Sequence, residues 1–69
     1  MKKMDHVAYP KRLRNLRENE IRFIIKDCRE AVAAMPDGRN TSYYLDEINY
    51  CISELYRRDV KNRLKSLAK

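Results

Sequence analysis

The sequence has little of what most folds and most active sites are made from. It holds a single glycine, two prolines, one histidine, two cysteines and no tryptophan in 69 residues. One glycine and two prolines are too few breakers for a turn-rich β fold. Cys28, Cys51 and His6 fall in no CxxC or HxxxH spacing, so the sequence offers no zinc set. The absence of a glycine-rich loop removes a nucleotide cradle. Apolar runs fall well short of the ~20 residues of a membrane span. Met1-Lys2-Lys3-Met4-Asp5-His6 has no apolar stretch of the secretory kind. These absences suggest a cytoplasmic chain with both thiols reduced, no cofactor, no metal, no membrane partner and no small-molecule substrate. Ser42, Ser53 and Ser66 have no evident partnered base, and Asp46, Glu47 and Glu54 read as a solvated helix face, so no enzyme activity is expected.

What the chain does have is charge and helix-forming residues. Charged residues make up 38% and hydrophobic residues 43%, with a net charge of +6. That apolar share is too large for a wholly disordered chain. Leu, Ala, Glu, Arg and Lys favour helices, so the expected class is all-α. Upstream of Pro36-Asp37-Gly38, the positions Ile21, Ile24, Ile25, Cys28, Ala31, Val32 and Met35 recur at spacings of three and four. They predict a helix over about 16–35, with Asn15 and Glu18 as a capping box and Pro36 as its stop. Pro10 fits the first turn of an earlier helical start. Downstream, Tyr44, Leu45, Ile48, Cys51, Ile52, Leu55, Tyr56, Val60, Leu64 and Leu67 form a second stripe, predicting a helix over about 42–66. Asn40, Thr41 and Ser42 all suit its N-cap. Residues 1–8 read as a flexible tail and 9–69 as one helical domain. The competing reading makes Ile21-Arg22-Phe23-Ile24-Ile25 a strand of a ribbon–helix–helix DNA-binding dimer, but the helical stripe continues past it through Val32.

A short turn at 36–41 predicts an antiparallel two-helix hairpin. Facing residues then have nearly constant index sums: Met35 with Tyr44, Cys28 with Cys51 and Ile24 with Leu55 each give 79. The register brings Cys28 and Cys51 level. They are either two small buried apolar groups or a redox-switchable pair. A hairpin leaves Leu13, Leu16, Phe23, Val60, Leu64 and Leu67 uncovered. Either the segment 9–17 folds back as a short helix onto the end of the second helix, or two chains pair into a helical bundle. A two-helix core is poor, which favours a homodimer.

Two surfaces carry the functional expectations. Residues 1–17 hold six basic side chains against Asp5, and residues 56–69 hold six against Asp59, a net of +5 each. Residues 18–55 hold four basic and eight acidic groups, a net of −4. A hairpin gathers the basic segments at one pole, with Lys11, Arg12, Arg14, Arg17, Arg57, Arg58, Lys61 and Arg63 as candidates for binding nucleic acid or an acidic protein. The same cations are also ordinary helix-terminus complements and solubilising groups. Leu13, Leu16, Phe23, Tyr43, Tyr50 and Leu64 are the candidate protein interface, Tyr43 and Tyr50 sharing a face at a spacing of seven. A basic amphipathic helix on a membrane surface is the third reading, and it conflicts with the need of the second helix for its own apolar face.

The stretch Ala33-Ala34-Met35-Pro36-Asp37-Gly38-Arg39, followed by Tyr43-Tyr44-Leu45-Asp46-Glu47-Ile48-Asn49-Tyr50-Cys51, resembles small uncharacterised early accessory proteins of lambda-like temperate bacteriophages. These are the short reading frames between recombination and excision genes, and the resemblance covers about residues 18–58. It implies a dispensable accessory protein made early after infection, acting by protein–protein interaction on host regulation or on the lysis–lysogeny balance. It assigns no functional residue. The expected partners are therefore a second copy and a host or phage protein, with DNA or RNA at the basic pole as the alternative.

Overall fold

The computed structural model describes residues 3–67. Three helices account for most of them: α1 (Ala8–Arg14), α2 (Glu18–Ala34) and α3 (Thr41–Leu67), with no strand among the described residues. Ile21–Ile25 are helical, so the ribbon reading fails.

Each helix begins and ends for a local reason. Asp5 opens α1: its Oδ1 accepts from the Val7 and Ala8 backbone N–H groups at 3.0 and 2.9 Å, and its carbonyl accepts from Tyr9 N. Those bonds hold the Asp5 carboxyl below its ordinary value. Pro10 lies in the first turn, where a missing N–H costs nothing. Asn15 ends α1, and a reversal through Leu16 separates it from α2. The capping group of α2 is Glu20, whose Oε1 accepts from Arg17 N at 3.0 Å. The expected Asn15–Glu18 box is thus shifted by two residues. Any residue but proline supplies a backbone N–H, so an acid three positions on is the part of this motif that matters.

Met35 leaves helical geometry before Pro36, and the turn closes tightly. Met35 O accepts from Gly38 N at 3.0 Å and from Thr41 Oγ1 at 3.0 Å. A Cβ on Gly38 would stand 3.1 Å from Met35 O, a tight approach that glycine avoids. At 1.5 Å per residue α3 is about 40 Å long, matching the 48 Å long axis of the molecule.

The core is small. Tyr9, Leu13, Ile21 and Cys51 are buried together, with Met4, Leu16, Ile24, Ile25, Tyr50 and Leu55 packed around them. α2 lies along one side of α3 and α1 along another. Near the turn, Ala31 and Met35 share a cavity wall with Thr41 and Tyr44, and farther on Arg22 and Ile25 share one with Ile52 and Leu55. Of the two alternatives for residues 9–17, the fold-back does occur, but onto the middle of α3 rather than its end. Tyr9 meets Glu47 and Tyr50, and Leu13 and Leu16 reach Arg58. Residues 3–8, expected as a flexible tail, include Met4 against the core and His6 Nδ1 in a 2.6 Å hydrogen bond with the Tyr50 hydroxyl. Met1 and Lys2 of that tail lie outside the described residues, as does Lys69 of the C-terminal basic segment.

Candidate interaction surface

The α3 stripe read from the sequence is too wide for one partner helix. Residue pairs such as Tyr44/Leu45, Cys51/Ile52 and Leu55/Tyr56 spread it by a further ~100°. α2 and the core take Tyr44, Cys51 and Leu55. α1 covers the edge on the other side, at Glu47, Tyr50 and Glu54. The remaining edge is left bare. Leu45 and Ile52 are half exposed, Tyr56 is 70% exposed, and Leu64 and Leu67 stand largely in solvent beyond the other helices. By helix geometry Leu45, Ile52, Tyr56, Val60 and Leu67 fall within about 80° of arc, so they form one continuous strip. An Asp59–Arg63 pair at 3.2 Å lies along it. A second apolar spot surrounds Phe23 on α2, bordered by Leu16 and Ile24.

The expected interface residues therefore separate. Phe23 and Leu64 are exposed. Leu13 is not available: at 1% exposure it is one of the most buried side chains, because α1 turns it toward Ile21 and Cys51. Leu16 packs on the same core. Tyr50 is held between His6 and Tyr9, and Tyr43 meets the edge of the Tyr44 ring.

The basic pole changes more. Arg14 and Arg57 line one cleft between α1 and α3, so the two basic segments do approach each other there. Much of the α3 charge is engaged, however. Glu54, expected on a solvated face, is buried at 6% exposure. Arg57 donates to it from Nε and Nη2 at 3.2 and 2.8 Å, and Arg58 from Nε at 2.7 Å. The Arg58 Nη2 then donates to the carbonyls of Leu13 and Leu16 at 2.9 and 2.7 Å, tying the end of α1 to α3. Arg58 is a half-buried brace rather than a contact cation. The Arg57 hydrogen bond is the main cause holding the Glu54 carboxyl below its usual range against the opposing effect of burial. Arg63 pairs with Asp59, while Lys61 makes no ion pair among the described residues. Lys11, Arg12, Arg14 and Arg17 remain exposed, Arg12 lying 6.0 Å from the Tyr9 ring centroid.

Sequence reasoning missed the clamp around Glu54, although an acid with arginines three and four positions on was a visible signal for it. A second buried polar group was also missed. Tyr9 Oη donates to Glu47 Oε2 at 2.6 Å and lies 4.0 Å from Cys51 Sγ. Burial, then this carboxylate, pushes the Tyr9 hydroxyl far up. Burial, then the charge of Glu47, pushes the Cys28 thiol up to about 12, and burial raises Cys51 as well. Both thiols are free and protonated at neutral pH. Their reaction with an aromatic disulfide reagent at pH 8 should be about 100-fold slower than that of free cysteine, and urea should restore it. Fast reaction of either thiol in the folded chain would contradict this burial.

No group of three His, Cys, Asp or Glu side chains among the described residues is placed to hold a metal ion. Among the described residues no helix is long and apolar enough to cross a membrane. No family model, curated protein or solved structure matches the chain.

Proposed function

We propose that this chain is a non-catalytic protein-interaction module. In this reading an antiparallel α2–α3 hairpin, braced by α1, presents the uncovered face of α3 to a protein partner in the cytoplasm. The observation that carries it is the strip of Leu45, Ile52, Tyr56 and Leu67, left exposed on a chain whose own core is small. Contiguous exposed apolar surface on so small a protein is costly for solubility unless something covers it. An accessory role of the kind implied by the resemblance to early phage proteins needs such a face and needs no chemistry.

The alternative reading, nucleic-acid binding, draws on the cleft shared by Arg14 and Arg57 and on the exposed cations of α1. Against it, Arg57, Arg58 and Arg63 each have a carboxylate partner within the chain. The two readings separate by variant. Ile52→Asp and Tyr56→Asp sit on exposed positions and should leave helix content and melting unchanged while abolishing recovery of bound protein by the tagged chain. Lys11→Glu and Arg14→Glu should leave that recovery intact. If instead the chain binds duplex DNA with an affinity that falls about 10³-fold between about 50 and 200 mM salt, and the α1 variants abolish it, the nucleic-acid reading holds.

A further inference from the structure

The groove between α2 and α3 has two walls of different chemistry. Its apolar lining is Ile25, Ile52 and Leu55. On the α2 side it is lined by Arg22, Lys26 and Arg29 against one acid, Glu30. The three cations recur at spacings of four and three, so they form one stripe two turns long beside the apolar lining. All three are exposed. Lys26 and Arg29 make no ion pair among the described residues. Arg22 meets Glu18 in a pair whose side chains are 66% and 65% exposed, weak enough to exchange for another carboxylate. The α3 side has no such stripe. By helix geometry Leu45, Asn49, Ile52 and Tyr56 form its outer edge, and none is charged. Through Ile52 the groove runs on into the uncovered strip.

We infer that the occupant of this groove is an acidic amphipathic helix of a partner protein, with its apolar face on Ile25, Ile52 and Leu55 and its carboxylates along Arg22, Lys26 and Arg29. This rests on the proposed interaction role and names the chemistry of the partner. The walls are two helices whose backbone groups are paired within themselves, so the groove offers no ladder to an extended peptide. An occupant has to satisfy its own backbone, which a helix does. Asp or Glu at every third or fourth position of that helix matches the period of the basic stripe. A basic helix would set like charges against Lys26 and Arg29. A nucleic-acid backbone would meet the cations but leave Ile52 and Leu55 without an apolar partner.

The test is a displayed library of helical peptides about four turns long, with Leu fixed at i, i+3, i+4 and i+7 and the flanking positions varied between Glu and Lys. Selection on the immobilised full chain should enrich Glu over Lys at the flanking positions. An enriched peptide should bind about tenfold more weakly once its flanking Glu are changed to Lys. Lys26→Glu with Arg29→Glu, both at exposed positions, should reverse the preference toward Lys with unchanged circular dichroism. Ile52→Asp should end enrichment, whereas Phe23→Asp should not. Selection that enriches no peptide, or Lys-flanked peptides, or the same peptides on the charge-reversed chain, overturns the inference. Binding lost in Phe23→Asp but kept in Ile52→Asp overturns it too. So does a wild-type dimer in light scattering that Ile52→Asp splits, or duplex DNA or anionic lipid vesicles held through Lys26 and Arg29. The interaction role fails on a separate result: protein recovered by the wild-type chain and equally by its Ile52→Asp and Tyr56→Asp variants.

Discussion

Leu13→Ala should cost about 3 kcal/mol and leave a large fraction of the chain unfolded at room temperature, read as loss of the cooperative urea transition. Leu13 is 1% exposed and sits where all three helices meet. Truncation removes about three methylene-sized groups and leaves a cavity whose walls, Ile21 and Cys51, sit on helices fixed by other contacts. A core built around four buried side chains has little stability to lose. Leu64→Ala, with the same chemistry at a 62% exposed position, should change stability by less than about 0.5 kcal/mol in the monomer. Equal effects of the two substitutions would mean that α1 does not dock as described.

Arg58→Ala should be comparably severe, by about 3 kcal/mol. It strips one cation from the buried Glu54 carboxylate and leaves the Leu13 and Leu16 carbonyls without their donor. Glu54 then keeps only Arg57, whose side chain is nearly half exposed. Replacing both Glu54 and Arg58 with Met should recover part of the loss, because the uncompensated charge is gone while the two carbonyls stay unmet. The pair also sets an acid limit. The folded Glu54 carboxyl ionises below its ordinary value of 4.5, which it regains on unfolding. Its contribution is thus complete above pH 4.5 and is lost as pH falls through the lower folded value. An acid titration followed by circular dichroism should show this dependence in the wild type and a flatter profile in the double variant.

The sequence made the helix bodies and their breaks legible, since Pro36, Gly38 and the three-four apolar spacing act locally. The index sum of 79 also picked residues that do come near one another, with Ile24 and Leu55 on the same core and Met35 and Tyr44 on one cavity wall. The side of α3 that α1 covers was not legible. The α3 stripe spans too wide an arc, and nothing local decides whether α1 lies beside Tyr50 and Glu54 or beside Ile52 and Tyr56. That choice follows from Arg58 and Tyr9, each of which bonds a group about 40 residues away. Once it is made, Leu13 becomes core, Glu54 is buried, Arg58 turns inward and Tyr56 is left outside. The basic pole is accordingly smaller than the charge count suggests.

The most direct test of the α3 face as the working surface is a photo-crosslinking side chain placed at position 56, with a control at exposed Asp27 on α2, away from the groove beside Ile52, in cells producing the protein. The account predicts a protein adduct from position 56 and none from position 27. Equal adducts from both positions, or nucleic acid captured at position 56, would contradict it.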